Sequence, residues 1–215
     1  MPRLPRGLLR RTPLTVTSVL LGLWSTALVH AAEATYAVAE SKSLVRIHVG
    51  KTGAFSFAGH KHEVQAPVAG TVIADPANLS GSSVDLTFAS ARLHVMPEGE
   101  PTGDAPKVEE VMRGPGVLDV VRFSEIRFRS TKVTGRALAS GAYDLVLGGE
   151  LSLHGVTREL TLPVQVTLNG HSLTATGRTT LRHDQFEMKP VSVGGGLVKV
   201  ANEIQIEFQI VAEQR

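Results

Sequence analysis

The residues with the most obvious potential for chemistry are two histidines separated by one residue. His60 and His62 lie in the segment Gly59-His60-Lys61-His62-Glu63. On a β-strand, residues two apart project to the same side, so both imidazoles would share one face. They predict either a metal site, completed by His154 or His183, or a hydrogen-bonded pair at the rim of the fold. The spacing alone leaves both hypotheses open.

Other polar residues give no catalytic pattern. His154 sits at a predicted chain reversal, where the imidazole is expected to hydrogen-bond turn backbone, with contact to a ligand headgroup as the alternative. The glycines 194–196 followed by Lys199 lack the spacing of a phosphate-binding loop. Glu109 and Glu110 are adjacent on a predicted helix and therefore face different ways. Since the sequence has no G-x-S-x-G motif either, it predicts a protein that is not an enzyme.

The first 31 residues are typical of a secretory signal peptide, which would leave residues 32–215 as the mature domain. Four arginines precede an uncharged apolar run from Leu14 to Val29, and small residues follow. The sequence has no cysteine, which excludes disulfides and thiolate chemistry. The net charge of +2 includes those four arginines, so the mature domain carries about 2 − 4 = −2. We therefore expect a periplasmic or secreted protein that does not bind nucleic acid.

Apolar and polar residues alternate along most of residues 44–211, which is the pattern of β-strands with one buried face. The clearest rows are Leu160, Leu162, Val164, Val166 and Leu168, and Ile204, Ile206, Phe208 and Ile210. About eight such strands would form a sandwich or a closed barrel, and the short turns between them favour an up-and-down barrel. Periodicity does not decide whether side chains fill the interior or whether it encloses a ligand.

Turn and helix signals complete the predicted order of elements. Asn169-Gly170 is a two-residue hairpin signal, and His154-Gly155 marks another reversal. Residues 105–113 are good helix formers with Pro106 in the first turn, and the glycines at 114–116 end the helix. The sequence therefore predicts an all-β fold, an eight-stranded antiparallel up-and-down barrel with one short helix in a long connection.

Three segments carry a family resemblance and occur in the expected order. They are GELSLHGVTR at 149–158, Val117-Leu118-Asp119 followed by IRFRS at 126–130, and RHDQF at 182–186. They are similar to signatures of the YceI-like family of exported, lipid-binding β-barrels. The stretch Arg122–Glu125 lacks the family's usual proline before Ile126, and the His60/His62 pair is associated with a branch of the family that has a G-H-x-H segment.

The resemblance implies a lipocalin-like barrel whose apolar interior holds a long-chain polyisoprenoid lipid for carriage or storage. An isoprenoid quinone and a polyprenyl phosphate are the two ligand types it implies, with no other cofactor. Side chains suited to line such a tunnel are Phe55, Phe88, Phe128, Tyr143, Leu145, Leu162, Phe186 and Phe208. Expected partners are the lipid and, transiently, a membrane or a membrane redox protein, and a homodimer is one open oligomeric state.

Our hypothesis places His60 and His62 at the barrel mouth, where they would contact the polar end of the ligand. Replacing both with alanine should then weaken lipid retention with little loss of folding stability. The alternative is a periplasmic metal-binding protein that uses His60 and His62 as ligands. The two hypotheses differ in whether a third metal ligand comes within bonding distance.

Overall fold

Antiparallel pairing joins the strands of this chain into one sheet. The computed structural model describes residues 33–53, 61–98, 100–139, 141–193 and 198–215. The strands in these ranges are β1 (Ala34–Val38), β2 (Leu44–Thr52), β3 (His62–Gln65), β4 (Ala69–Ala74), β5 (Ser83–Ala89), β6 (His94–Val95), β7 (Glu125–Ala137), β8 (Ala142–Leu153), β9 (Val156–Asn169), β10 (Ser172–Arg182), β11 (Ser192–Val193) and β12 (Val198–Gln214). The helical elements there are α1 (Ala105–Arg113) and 3₁₀ turns at Glu40–Lys42, Leu79–Gly81, Ser90–Arg92 and His183–Phe186.

The long final strand closes this sheet into a barrel. On one side β12 pairs with β10, and on the other it pairs with β2, where Phe208 opposes Val45, and with β1, where Gln214 opposes Tyr36. The pairs β1/β2, β3/β4 and β5/β6 are each one barrel strand interrupted by a short break. Counted this way, the described ranges form eight antiparallel barrel strands in up-and-down order. The predicted all-β, lipocalin-like barrel is confirmed.

The alternating rows of the sequence separate the interior of the barrel from its outer surface. On β9, Leu162 and Val164 are buried, whereas Pro163 and Gln165 between and after them are exposed. On β12 the inward Ile204 is buried in the same way. The residues that share a face in the sequence therefore do point into the barrel, because side chains of a strand alternate between its two faces.

Two tight turns lie near their predicted positions. His154 and Gly155 connect β8 to β9 with φ angles of 53° and 76°, as a two-residue hairpin of type I′ requires. The β9–β10 hairpin is shifted by one residue from the prediction, because Asn169 pairs with Ser172 and the turn is Gly170 and the residue after it. Gly170 has a φ of 58°, which suits the first position of a type II′ turn.

The predicted helix is confirmed with its predicted bounds. α1 has Pro106 in its first turn, where a missing N–H costs no helical hydrogen bond. Its side chains fasten it to the strand end nearby. Glu109 accepts a hydrogen bond from the backbone N–H of Val95 at 2.9 Å, and Arg113 donates one to the carbonyl oxygen of Leu93 at 3.1 Å. Glu109 is therefore a structural anchor of α1 beside β6.

Two turn glycines offer a matched test of this packing. A Cβ on Gly155 would lie 2.5 Å from the ring of Phe123, whereas a Cβ on Gly170 would meet nothing within 4 Å. Both glycines have positive φ, so both alanine variants carry a backbone cost of roughly 1–2 kcal/mol. We expect Gly155→Ala to lower the free energy of unfolding by about 3 kcal/mol or more, because overpacking adds about 1–3 kcal/mol. Gly170→Ala should cost only the backbone part, about 1–2 kcal/mol.

Urea unfolding of the two variants beside the original protein measures both values. Equal losses for Gly155→Ala and Gly170→Ala would show that the ring of Phe123 does not constrain the turn.

Candidate ligand cavity

The barrel interior is hollow. A cavity of about 730 Å³ runs through it and is lined mainly by aliphatic and aromatic side chains from the inward faces of the strands. This volume falls within the range of about 300–1,000 Å³ that small-molecule sites occupy. The interior therefore encloses space for a ligand, which answers the question that periodicity left open.

Most of the predicted ligand contacts lie on the wall of this cavity. The predicted residues that line it are Phe88, Phe128, Tyr143, Leu145, Leu162, Phe208 and His62. Phe55 and His60 lie outside the described residues. Phe186 lies inside them but does not line the cavity.

Phe186 is buried in the packing around one end of the barrel. Its exposed fraction is 0%, and it ends the 3₁₀ turn His183–Phe186, which contacts β9, β10 and β12. Its carbonyl oxygen accepts a hydrogen bond from Nδ1 of His154 at 3.2 Å. The turn interrupts the two-residue period of β10, so the ring leaves the row that points into the cavity.

The sequence prediction favoured aromatic side chains and missed most of the aliphatic wall. The additional lining residues include Val45, Ile47, Val49, Leu147, Leu151, Leu153, Leu160, Val164, Val166, Ile204, Ile206 and Ile210. Their alternation with polar residues was the signal that could have found them. α1 adds Val108, Val111 and Met112, whose spacing places them on one face of a helix. That helix face borders one end of the barrel.

Charged side chains line the cavity at the end beside α1, which we call the mouth. The polar lining residues there include Lys51, His62, Asp104, Lys107, His183, Lys189 and Lys199. Asp75 lies at the opposite end, directly after β4, and its Oδ1 accepts hydrogen bonds from the backbone N–H groups of Ala77 and Asn78. The cavity is therefore apolar along its length and has most of its charge at one opening.

His62 is held on the mouth wall by a buried carboxylate. Its Nδ1 donates to Oε1 of Glu100 at 2.6 Å, and the Glu100 side chain is only 1% exposed. Oε2 of Glu100 has no hydrogen-bond partner among the described residues. Because a buried carboxylate is costly without partners, the contact fixes the imidazole and makes it structurally important.

The comparison with known families decides how this barrel is classified. The YceI-like domain matches residues 36–212, from β1 into β12. The chain belongs to the YceI-like family. This confirms the resemblance that the three sequence segments carry. No curated protein matches the sequence as a relative.

Solved structures share the YceI-like barrel at low sequence identity. BcnA of Burkholderia cenocepacia has a TM-score of 0.61 at 22% identity, covering 81% of this chain and 98% of that one. A polyisoprenoid binding domain from Saccharophagus degradans, implicated in plant cell wall breakdown, has a TM-score of 0.60 at 12% identity, covering 85% and 99%. The Campylobacter jejuni YceI protein has a TM-score of 0.51 at 11% identity, covering 69% and 81%. At these identities the similarity establishes the fold alone.

The other two candidate histidines of this YceI-like domain have structural partners. The ring of His154 packs against Phe123 with centroids 4.6 Å apart, and Nδ1 of His183 donates to the carbonyl oxygen of Asn202 at 3.1 Å. Among the described residues, no group of three or more histidines and carboxylates is arranged to hold a metal ion. His60 lies outside those residues, so the metal hypothesis stays a prediction. Within the same ranges, no helix is long and apolar enough to cross a membrane.

The contact between His62 and Glu100 changes the expected result of replacing His62. His62→Ala would leave the buried carboxylate of Glu100 without its partner, which typically costs about 3–5 kcal/mol. We therefore expect a large fall in the free energy of unfolding, unlike the small loss that the sequence alone suggested. His62→Ala/Glu100→Gln should recover at least about 1 kcal/mol, because a neutral amide is less costly to bury than a carboxylate.

Urea unfolding of His62→Ala, Glu100→Gln and the double variant completes the cycle. His171→Ala is the control, since this histidine is exposed. A loss below about 1 kcal/mol for His62→Ala would contradict the structural role of the pair.

Burial of His183 predicts a pH-dependent stability. Desolvation lowers the pKa of His183 below its ordinary value of 6.5, against the opposing effect of its hydrogen bond to Asn202. The unfolded state therefore binds more protons than the folded state between the lowered pKa and about 6.5, and the free energy of unfolding falls as pH drops through that window. His183→Asn keeps a donor near the Asn202 carbonyl but does not titrate, so this fall should shrink.

Unfolding midpoints between pH 7.5 and 5 measure the effect, with the exposed His171→Asn as the control. This range lies above the titration of Asp184, whose pKa is lowered to about 2 by its hydrogen bonds with Arg182 and Asn202. The same pH slope in His183→Asn and the original protein would refute the assignment.

Proposed function

We propose that the mature domain binds one long-chain polyisoprenoid lipid without covalent chemistry and carries or stores it. The ligand types are an isoprenoid quinone or a polyprenyl phosphate. The observation that carries the proposal is the apolar cavity of about 730 Å³ along the barrel, with charge gathered at its mouth. Such a site holds an extended hydrocarbon better than a polar metabolite, because a polar ligand would lose its hydration without gaining partners.

Burial of the lipid chain supplies the driving force in this proposal. Removal of apolar surface from water contributes about 25 cal/mol per Å², from which the cost of immobilising a flexible chain is subtracted. An aliphatic wall suits an isoprenoid chain, because the chain has no polar group along most of its length. That the similar Saccharophagus degradans domain is a polyisoprenoid binding domain also supports this ligand class.

The proposed orientation places the lipid chain inside and its polar end at the mouth. His62 lies on the wall there, and Glu100 holds its imidazole in place. His60 is the second residue that we propose to contact the polar end of the lipid. A binding role of this kind requires no nucleophile or general base, which agrees with the proposal that the protein is not an enzyme.

Export is the second part of the proposal. The basic start and apolar run of residues 1–31 support a signal peptide and a periplasmic or secreted location. A lipid of this type is insoluble, so we propose that the mouth meets a membrane, or a membrane redox protein, when the ligand enters or leaves.

Organic extraction and native mass spectrometry of the protein purified from a bacterial host test the ligand class. We expect a polyprenyl lipid to co-purify at close to one molecule per barrel. Protein that carries no lipid, and that binds none when a polyprenol is added, would refute the proposal.

A cavity-blocking variant ties any bound lipid to the barrel interior. Ile206 lines the cavity on β12, whereas its neighbour Gln205 is exposed on the outer face. Ile206→Trp should reduce co-purified lipid at least about tenfold, a loss of about 1.4 kcal/mol in binding. Gln205→Trp should leave it unchanged. Equal lipid content in the two variants would place the lipid elsewhere.

A further inference from the structure

The inward-facing row of β2 does not end on an apolar residue. Val45, Ile47 and Val49 line the cavity, and the next residue of the same row that lines it is Lys51. Because alternate residues of a strand share a face, Lys51 continues this row to the mouth. A lysine suits this position, since its aliphatic stem can follow an apolar wall while its ammonium group reaches the opening.

Two more lysines reach the mouth from neighbouring segments. Lys199 lies at the start of β12 and pairs with Thr52, and the next residue, Val200, pairs with Lys51. Lys189 precedes Val191, whose carbonyl oxygen accepts a hydrogen bond from the N–H of Val200 at 2.9 Å. Paired strands lie only about 4.8 Å apart. The backbone therefore brings together, at one side of the opening, the three segments that carry these lysines, and all three lysines are among the residues that line the cavity.

The charge of the mouth is opposite to that of the domain. Lys51, Lys107, Lys189 and Lys199 against Asp104 and Glu100, the carboxylate that holds His62, give the mouth a formal charge of 4 − 2 = +2. Lys107 and Asp104 pair with each other at 3.0 Å. The chain from residue 33 onward has a formal charge of 2 − 4 = −2, because the four arginines that precede residue 33 are left out of this count. A positive mouth on a negative domain favours anions at this opening.

We propose that the mouth selects a lipid whose polar end is a phosphate, through the ammonium groups of Lys51, Lys189 and Lys199. This inference rests on the proposed function and chooses between its two ligand types. A phosphate carries up to two negative charges and several acceptor oxygens, and lysine binds it as a point charge. A quinone is neutral, so lysines at the mouth would favour it much less.

The test compares two lipids with the same chain, a polyprenyl phosphate and the matching polyprenol. Purified protein is exposed to an excess of both in equal amounts, and native mass spectrometry gives the ratio bound. We expect the phosphate to be preferred at least about tenfold at low salt. The preference should fall severalfold in about 0.5 M salt, where charges are strongly screened.

A matched pair of variants assigns this preference to the mouth. Lys189→Gln/Lys199→Gln should reduce it to about threefold or less, and adding Lys51→Gln should reduce it further. Lys42→Gln/Lys132→Gln removes the same charge from exposed positions that do not line the cavity, and it should keep the original preference. All these variants should still bind the polyprenol, because its chain contacts are unchanged.

Inorganic phosphate alone distinguishes a lipid headgroup from a free anion. At about 10 mM it should neither bind measurably nor reduce the phosphate-lipid preference, because the proposed site needs the chain. Saturable binding of inorganic phosphate that abolishes the preference would overturn the lipid-headgroup assignment in favour of a free-anion site.

The remaining outcomes distinguish a failure of headgroup selection from a failure of the proposed lipid binding. Equal binding of the two lipids, or the same preference in the mouth and control variants, would overturn the headgroup selection and leave lipid binding intact. Failure of the protein to bind either lipid would overturn the proposed function and the headgroup selection together.

Discussion

The register between β12 and the first two strands is the interaction on which the rest of the structure depends. This 17-residue strand spans both β1 and β2 on one side while it pairs with β10 along the other. It thereby joins the two ends of the sheet, so neither end is left as an open edge for another chain to pair with. Closure also turns the rows of apolar side chains inward, and an eight-stranded barrel is just wide enough to hold one small ligand. The cavity therefore requires closure, together with inward side chains that do not fill the interior.

A hollow interior has an energetic cost that the closed ladder must offset. Cavities in protein cores cost roughly 24 cal/mol per Å³, so an empty, dry cavity of about 730 Å³ would cost roughly 18 kcal/mol. That is comparable with the whole net stability of a typical domain. A hydrocarbon chain in the cavity would recover much of this cost through contacts with the wall. Binding and stability are therefore coupled in such a barrel, since any ligand that binds only the folded state stabilises it.

The sequence predicted the regular parts of this molecule well, because they depend on local periodicity. The row Leu160 to Leu168 and the helix at 105–113 are both decided by residues close together in the chain. Periodicity cannot separate a packed interior from a hollow one, because both need the same apolar rows. It also failed for Phe186, where a 3₁₀ turn takes the ring out of its row. The contact between His62 and Glu100 joins residues that are 38 apart in the sequence. Because no repeating pattern connects these two positions, no local sequence pattern predicts the contact.

The breaks in the first three barrel strands explain why the mouth differs from the rest of the cavity. The 3₁₀ turns Glu40–Lys42 and Ser90–Arg92 interrupt two of these strands, and a third break lies between β3 and β4. Arg92 donates two hydrogen bonds to Glu40, at 2.6 and 2.8 Å, so these two breaks lie at the same level of the wall. This exposed ion pair adds little stability, but it joins the two breaks.

Beyond these breaks the wall is formed by the paired strands β12, β2, β3 and β6 and is completed by α1. A long charged side chain at the end of a strand can reach the opening without disturbing the apolar row before it. Lys51 and His62 lie near such strand ends, and Lys107 lies on the helix. In the proposed function, the apolar rows select the shape of the ligand and the charged rim selects the chemical group at its end. Shape selection and headgroup selection would then depend on different parts of the chain and could change independently.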